Sequence, residues 1–225
     1  PGVFIKRYKR FFADIKVKNK IITAHCANSG SMLGLLKKGN KVWITKSLNL
    51  KRKLKYTLQI IQIKNSKVGV NTHLTNKIVN HALQNNNIKY FKQNIKIKAE
   101  QVYGQNTRFD FYLEDSRNKI FLEVKSVTLK RKKKLAEFPD SITSRGTKHL
   151  NELVSAKKKG YQAYIIYVIQ REDCNKFNVA KDIDPDYSKA LENAINKKVK
   201  VICYDCKFSS KGIKLNKEIK LITNE

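Results

Sequence analysis

Acidic residues are scarce in this chain of 225 residues, which has 18 Asp and Glu against 48 Lys and Arg and a formal net charge of +30. Such an excess of positive charge favours polyanionic partners, nucleic acid first and an anionic membrane second. Arginine is also scarce, with eight of the 48 basic residues, whereas lysine, asparagine and isoleucine are abundant. Because those three residues share A/T-rich codons, part of the charge reflects nucleotide composition. The charge therefore supports a nucleic-acid partner without deciding it.

Long apolar runs and leader segments are missing from the sequence. No apolar stretch approaches the roughly 20 residues that cross a bilayer, and no charged start followed by an apolar core marks a signal peptide. We therefore expect a cytoplasmic protein without a membrane partner. With 41% apolar residues the chain can build a core, and its length suits one large domain or two small ones.

Cysteine is rare, and its spacing offers little chemistry. Two of the four cysteines, Cys203 and Cys206, match the CxxC motif of zinc and redox sites. The pattern of residues 199–208 predicts a strand, however, and positions three apart on a strand point to opposite faces. Since no second CxxC or nearby histidine pair completes a ligand set, we interpret the cysteines as structural thiols and expect no zinc.

The first part of the chain, residues 1–66, predicts a small β-barrel. Short runs rich in β-branched and aromatic residues alternate there with turns of glycine and polar residues. Strands are expected at residues 11–17, 21–25, 41–45 and 57–63.

Basic and aromatic residues are interleaved near the start of this barrel. On such a surface, cations would contact phosphates and rings would stack on bases. The alternative is a strand with a solvated basic face and a buried aromatic face. The residues concerned are Lys6, Arg7, Tyr8, Lys9 and Arg10, followed by Phe11 and Phe12. Two further barrel residues, His25 and Asn28, either bind nucleic acid or fix a turn through side-chain hydrogen bonds.

From residue 67 to residue 225 the pattern changes to mixed α and β. Helices are predicted at 75–84, at 144–159 and after Asp184-Pro185, a cap followed by proline in the first turn. Residues 161–169 form a near-continuous apolar run, as expected of a strand covered on both faces. A hairpin, a helix, a buried strand, a helix and the cysteine-bearing strand predict an α/β (α+β) domain, a mixed sheet flanked by helices.

The most informative segment is a predicted hairpin that carries two carboxylates and a lysine. Polar and aromatic residues alternate in Arg108-Phe109-Asp110-Phe111, and Glu123-Val124-Lys125 lies on the second strand. Side chains two apart on a strand share a face, so Glu123 and Lys125 project together. A polar turn at residues 114–119 would pair the strands and bring Asp110 beside Glu123.

This arrangement suits a phosphodiesterase. Two adjacent carboxylates repel one another unless a hard cation such as Mg²⁺ or Mn²⁺ lies between them. A neighbouring ammonium can orient a metal-bound water or stabilise charge on a phosphorane. The alternative is a surface hairpin with a cross-strand salt bridge of Glu, Lys and Asp, which contributes little to stability.

Taken together, these segments resemble the sugar fermentation stimulation protein A family over almost the whole chain. So many matches in one order are not a chance result. The matching segments are Lys6-Arg7-Tyr8-Lys9-Arg10-Phe11 with Ala13-Asp14, His25-Cys26-Ala27-Asn28-Ser29-Gly30, Val70-Asn71-Thr72, Tyr103-Gly104, Arg108-Phe109-Asp110-Phe111, Glu123-Val124-Lys125-Ser126-Val127-Thr128-Leu129, Phe138-Pro139-Asp140, Thr143 with Arg145-Gly146, and Lys148-His149-Leu150.

The resemblance implies an OB-fold-like barrel in the first part of the chain and a PD-(D/E)XK nuclease-like domain in the second. It also implies DNA binding and a link to the regulation of sugar (maltose) utilisation in bacteria. Carried onto this chain, the nuclease pattern makes Asp110 and Glu123 the metal carboxylates, with the Val124 carbonyl in the metal shell. Lys125 becomes the lysine beside the attacking water.

One departure from the family concerns the helix at 75–84. Family members often place a glutamate there, whereas this chain has His81 at that position, and an imidazole is not a hard anion. Glu100 is the candidate for the missing charge.

Several other residues are candidates with a structural alternative. Asp140 either belongs to the start of the following helix or is a ligand, and Arg145 either contacts a phosphate or pairs with Asp140. His149 is either a satisfied core histidine or a site residue. Gln170 ends the buried strand at the edge where sheet ligands often lie. Residues 128–138 are predicted to form an exposed loop that is either solvated or holds the nucleic-acid backbone through Lys130, Arg131, Lys132, Lys133 and Lys134.

The sequence thus predicts a DNA-binding protein with Mg²⁺- or Mn²⁺-dependent phosphodiesterase (nuclease) activity and little base specificity. A non-catalytic DNA-binding regulator of sugar (maltose) metabolism that retains a nuclease fold is the alternative. RNA is a further possible target, because OB-like barrels bind both nucleic acids.

Overall fold

The computed structural model describes residues 1–104 and 107–222. In the first 70 residues, all of them described, five strands form a closed barrel and a sixth extends its sheet. They are β1 (Gly2–Tyr8), β2 (Phe12–Val17), β3 (Lys20–His25), β4 (Lys41–Lys46), β5 (Tyr56–Ile63) and β6 (Ser66–Gly69). The barrel closes where β3 and β5 pair in parallel at the ends of the order β3-β2-β1-β4-β5. The predicted barrel is confirmed, and β6 carries its sheet beyond residue 66.

Strand alternation places the apolar side chains of the barrel inside. Along β2, Ala13 and Ile15 are fully buried, while Asp14 and Lys16 between and beyond them are more exposed. The turn between β1 and β2 consists of residues 9–11, in which Lys9 and Arg10 have positive φ angles of 44° and 61°. These residues therefore form the tip of a hairpin rather than the interior of a strand.

The rest of the described chain contains further strands, a 3₁₀ helix at Thr72–Leu74 and three α-helices. The strands are β7 (Lys96–Tyr103), β8 (Thr107–Glu114), β9 (Lys119–Val127), β10 (Leu129–Lys132), β11 (Lys134–Phe138), β12 (Gln162–Ile169), β13 (Cys174–Val179), β14 (Lys200–Ser209), β15 (Gly212–Glu218) and β16 (Lys220–Leu221). The helices are α1 (Thr75–Gln84), α2 (Ser144–Lys158) and α3 (Pro185–Asn196). A six-stranded sheet has the order β15-β14-β12-β9-β8-β7, in which β9, β12 and β14 run parallel. The predicted mixed sheet is therefore confirmed.

Helices cover both faces of this sheet. On one face α1 contributes Ile78 and Val79 to a cluster with Leu122 and Ile166, and on the other α2 and α3 pack against residues such as Ile165. The burial of β12 on both sides explains its continuous apolar sequence. Cys203 and Cys206 belong to opposite faces, so their sulfurs diverge as predicted.

The helix starts follow from local sequence. Thr143 caps α2 by accepting a hydrogen bond from the Gly146 N–H, and Asp184 caps α3 by accepting one from the Tyr187 N–H. Proline at the first position of α3 has no N–H to leave unpaired. Over residues 1–104 and 107–222, no helix is long and apolar enough to cross a membrane.

Residues 128–138 were expected to be an exposed loop, and that expectation is wrong. They form the β10–β11 hairpin, and β11 pairs in parallel with β13 in a small four-stranded sheet. Leu129 and Ala136 are buried on its inner side. The run of cations conceals this pattern, because it reads as a solvated loop, whereas Arg131, although exposed, is paired with Glu137 and Asp182.

The barrel and the second domain meet along the loop after β3. The Asp140 carboxylate accepts a hydrogen bond from the Met32 N–H at 3.0 Å, and its backbone carbonyl accepts one from the Ser31 hydroxyl at 2.6 Å. The guanidinium of Arg7 donates to the carbonyls of Asn28 and Gly30 in the same loop. The contacts of Asp140 with Ser31 and Met32 thus join the two domains, and a cleft lies between them.

Candidate metal and nucleic-acid site

The candidate site lies where β8 and β9 separate. The last pair in their ladder is Phe111 with Leu122, and the next residues along the two strands are Asp110 and Glu123. The Val124 N–H donates to Oδ2 of Asp110 at 2.8 Å, so a carboxylate takes the place of a strand partner. The opening of the ladder therefore brings the two acids together, as the sequence predicts.

Strict alternation along β8 fails at this point. Phe109 packs with the α2 and α3 face of the sheet, whereas Phe111 packs with the α1 face. Phe109 and Phe111 would share a face in a regular strand. They point to opposite sides of the sheet here, because β8 makes a turn about its own axis at Asp110. That turn directs the Asp110 carboxylate toward β9 and α1.

Asp110 is enclosed by hydrogen-bond donors and a second negative charge. The Asn76 side-chain amide donates to its Oδ1 at 2.6 Å. Burial, and then the negative charge of Glu123, raise the pKa of Asp110 to about 6, although the Val124 N–H, the Asn76 amide and Lys125 act in the opposite direction. Burial and the neighbouring carboxylate thus disfavour the charged form of Asp110 more than its three donors favour it.

Glu123 is 2% exposed, and its two oxygens have different surroundings. Oε1 accepts a hydrogen bond from Lys125 Nζ at 2.8 Å and contacts His149 Nδ1. Oε2 is buried and has no hydrogen-bond partner among the described residues. Burial raises the pKa of Glu123, but Lys125 and His149 outweigh that effect and leave the pKa lowered. Glu123 is thus a buried carboxylate with one oxygen free to bind a cation.

His149 connects Glu123 to the surface of the cleft. It is buried on α2, and its Nε2 accepts a hydrogen bond from Arg145 Nε at 3.4 Å. Since Nε2 faces a guanidinium donor, Nδ1 carries the hydrogen and donates it to Glu123. The structure therefore makes His149 a neighbour of the candidate site, and Arg145 contacts His149 rather than Asp140.

The donor set fits a hard divalent cation. Mg²⁺ is usually bound by one or two carboxylates and completes its shell with waters and substrate phosphates. Within residues 1–104 and 107–222, no group of three His, Cys, Asp or Glu side chains is arranged to hold a metal. Two carboxylates remain, together with the Val124 carbonyl, which points toward Asp110 because the N–H and C=O of one strand residue lie on the same side. The unpartnered Glu123 Oε2 is the observation that favours this fit.

A cleft of about 610 Å³ between the two domains is lined in part by the two residues that follow Glu123 on β9, and not by Asp110 or Glu123 themselves. Val124 and Lys125 contribute to its wall from β9, and Lys125 is 12% exposed. Arg145 lies on the same wall, and Arg10 and Thr72 contribute from the barrel side. Lys125 is therefore the member of the predicted triad that reaches the cleft.

The other residues predicted for the second domain lie elsewhere. His81 is exposed on α1, so Asn76 and not His81 is the α1 residue that reaches Asp110. Glu100 pairs with Arg108 at 3.7 Å on the surface of a second cavity. Gln170 is fully buried and donates to the hydroxyls of Thr75 and Ser126, which joins the end of β12 to α1 and β9.

The predicted barrel residues divide into structural and exposed groups. Arg7 uses its guanidinium to hold the loop after β3, and Asn28 fixes the turn there by accepting from Gly30 N–H and donating to the Val70 carbonyl. The exposed side chains are those of Lys6, Tyr8, Lys9 and Arg10, and His25 is half-buried.

The five consecutive cations are likewise divided. Lys130 pairs with Asp173 at 2.6 Å, and Arg131 pairs with Glu137 and Asp182. Lys132, Lys133 and Lys134 are exposed at the end of the β10–β11 hairpin.

Asn76 is the site residue that the sequence analysis missed. It lies three and seven residues before Val79 and Leu83, which are buried on the inner side of α1. The signal in the sequence was a polar residue in line with the apolar residues of α1, because helix periodicity places Asn76 on the face that meets the sheet.

An OB-like barrel followed by a mixed-sheet α/β domain defines the class of this two-domain protein. Residues 5–70 match the family described as the SfsA N-terminal OB domain, and residues 73–212 match the sugar fermentation stimulation protein RE domain. The chain therefore belongs to the sugar fermentation stimulation protein family.

Relatives and a solved structure agree with this assignment. The chain is 52% identical over 221 residues to the sugar fermentation stimulation protein homolog of Pelagibacter ubique, which covers 98% of this chain and 95% of that protein. It is 43% identical over 218 residues to the homolog of a Ruegeria species, and the match covers 96% of this chain and 94% of that protein. The structure of Pyrococcus furiosus SfsA in complex with Ca²⁺ has the same fold, with a TM-score of 0.91, 23% identity, and 99% and 95% of the two chains covered.

Proposed function

We propose that this protein binds DNA and hydrolyses its phosphodiester backbone with the help of a divalent cation. The observation that carries the proposal is the pair of half-buried Asp110 and buried Glu123 beside the cleft, with Glu123 Oε2 unpartnered in the described structure. A buried carboxylate oxygen without a donor is costly unless a ligand satisfies it.

Asp110, Glu123 and the Val124 carbonyl would hold Mg²⁺ or Mn²⁺. The cation, when bound, supplies charge that polarises a phosphate and lowers the pKa of a coordinated water. Lys125 is held at the cleft wall by Glu123, so its ammonium can orient the attacking water and offset negative charge in the transition state. The structure of Pyrococcus furiosus SfsA, which has the same fold, is a complex with Ca²⁺, and this supports our choice of a hard divalent cation.

The partner we propose is DNA, bound through its backbone in the cytoplasm. The net charge of +30 and the cleft arginines Arg10 and Arg145 favour a polyanion. Contacts of this kind hold phosphates and carry little sequence information. Lys132, Lys133 and Lys134 add exposed cations on the hairpin of the second domain.

A non-catalytic role is a second candidate, and one feature of the site favours it. Lys125 and His149 already occupy Glu123 Oε1, and Asp110 is hydrogen-bonded by the Asn76 amide, while no third His, Cys, Asp or Glu of the described residues joins the pair to hold a metal. Such a site resembles a hydrogen-bond network whose role is structural. The protein would then be a DNA-binding regulator, and its family name connects it to sugar fermentation.

A nicking assay separates these two candidates. Purified protein is incubated with supercoiled plasmid in Mg²⁺, Mn²⁺ or EDTA, and DNA binding is measured in parallel by fluorescence anisotropy in Ca²⁺. We expect Asp110→Ala and Lys125→Ala to slow nicking by about a hundredfold or more while affinity changes little. Asp186→Ala, which removes an exposed carboxylate from α3, serves as the matched control and should nick like the parent.

The results have distinct meanings. Equal nicking by parent and Lys125→Ala would dispose of the proposed mechanism. A parent that binds plasmid tightly but does not nick it in either metal would support the regulator.

A further inference from the structure

Three rings form a row on the outside of the barrel, at the edge of the cleft. The Phe11 and His25 ring centroids are 6.2 Å apart with 29° between their planes, and those of His25 and His73 are 6.3 Å apart with 45°. Phe11 is 41% exposed and His73 is also exposed. We call these three side chains the ring row.

The ring row does not belong to a hydrophobic core. The barrel core is formed by residues on the inner side of the strands, such as Phe4, Ile15 and Leu58. Phe11 lies in the hairpin tip instead, where it contacts His25 and leaves 41% of its surface exposed to solvent.

The backbone nevertheless holds the ring row firmly. The Phe11 carbonyl accepts a hydrogen bond from the Cys26 N–H at 2.8 Å, which ties the hairpin tip to the residue after His25. The His73 N–H donates to the Asn71 side chain at 3.1 Å, and the Thr72 hydroxyl donates to the Ala27 carbonyl at 2.8 Å. Three segments far apart in sequence thus present their rings on one rigid support.

Cations flank the ring row. Arg10 precedes Phe11 and lines the cleft, and Thr72, which precedes His73, lines it as well. Arg52 donates a hydrogen bond to the Thr57 hydroxyl at 3.0 Å, and Thr57 pairs with His25 between β5 and β3, so Arg52 lies close to the row. Rigid rings next to arginines are the features that bind unpaired bases and their phosphates.

We propose that the cleft binds a single-stranded nucleic-acid segment, with unpaired bases stacked on Phe11, His25 and His73 and phosphates held by Arg10 and Arg52. The strand then passes Lys125 in the cleft wall. A base in a duplex has both faces covered by its neighbours, so it cannot use these rings. The binding of a single strand is independent of the proposed function. Only cleavage of that strand beside Lys125 rests on it.

Binding measurements in EDTA test the inference without any cleavage. Fluorescence anisotropy of labelled single-stranded DNA, single-stranded RNA and duplex DNA is compared at one stated salt concentration, because affinity for all three depends on salt. We expect Phe11→Ala and His73→Ala each to weaken single-strand binding by about tenfold, and duplex binding by less than about twofold. The comparison of the DNA and RNA arms identifies which strand is preferred.

Tyr90→Ala is the matched control. Tyr90 is an exposed ring of similar exposure, 36%, but it packs on Tyr164 near the start of β12, whereas the cleft lies by the other end of that strand. Its loss should leave single-strand affinity unchanged.

Phe11→Trp provides a direct readout in a variant that keeps a ring. We expect this variant to retain single-strand affinity and its indole fluorescence to be quenched by the oligonucleotide, whereas the parent, with Trp43 alone, should show little quenching. The inference would be overturned if Phe11→Ala binds single strands as well as the parent does, or loses duplex affinity equally. Neither outcome depends on nicking, so failure of the nuclease proposal remains distinguishable.

Discussion

Replacement of His149 offers a sharp test of how the protein holds its buried acid. His149 donates from Nδ1 to Glu123 and accepts from Arg145 at Nε2. His149→Leu fills similar space but removes the donor. His149→Asn keeps an N–H donor close to the position of Nδ1, so the two variants differ mainly in that hydrogen bond.

The expected size of the effect follows from the surroundings of Glu123. A buried hydrogen bond to a charged group contributes about 1.5–3 kcal/mol, and Oε2 of Glu123 has no partner in the described structure that could compensate. For a chain of this length one kcal/mol corresponds to about 2 °C in Tm. We therefore expect His149→Leu to unfold about 3 to 6 °C below the parent, and His149→Asn to recover most of the loss.

The functional consequence should appear in the cation dependence. Residues that orient a metal carboxylate typically change metal affinity or activity by about 10- to 100-fold. We expect His149→Leu to need more Mn²⁺ than the parent both to raise Tm and to nick plasmid, with DNA affinity in EDTA unchanged.

Thermal unfolding with a Mn²⁺ titration, followed by the nicking assay, checks these expectations. A purely structural role would lower Tm without moving the Mn²⁺ midpoint. If His149→Leu matches the parent in Tm and in Mn²⁺ midpoint, or if His149→Asn is as impaired as His149→Leu, the contact with Glu123 does not have the role described.

Two further predictions concern charge and packing. Since the pKa of Asp110 is raised to about 6 in the folded protein, the unfolded chain releases this proton first as pH rises, and stability falls between about pH 4 and pH 7.5. In metal-free urea titrations the stability of Asp110→Asn relative to the parent should therefore improve by about 3 kcal/mol over that range, and a difference independent of pH would contradict the assignment. A Cβ on Gly30 would lie 2.3 Å from Asp140 Oδ1, so Gly30→Ala should displace that carboxylate from the Met32 N–H and cost about 1.5–3 kcal/mol. In the same urea titrations, Gly30→Ala should lower the free energy of unfolding little further when Asp140→Ala is already present. Fully additive losses would refute the contact between residue 30 and Asp140.

Much of the local structure is determined by the sequence alone. The alternation in the β2 strand, the apolar stripe of α1, the caps Thr143 and Asp184 and the apolar run of β12 each follow from residues within one segment. The pairing of Asp110 with Glu123 could also be predicted, because a hairpin relates its two strands by a short turn. The family resemblance added the chemistry that these acids would support.

Tertiary structure decided which partners the site residues have. Asn76 reaches Asp110 from α1, His149 reaches Glu123 from α2, and Phe11 meets His25 and His73 only when the hairpin tip and the residues after β6 meet at one edge. Sequence periodicity defines the face on which a side chain lies within its own helix or strand. It does not define which distant element packs against that face, because that depends on how the whole chain buries its apolar surface.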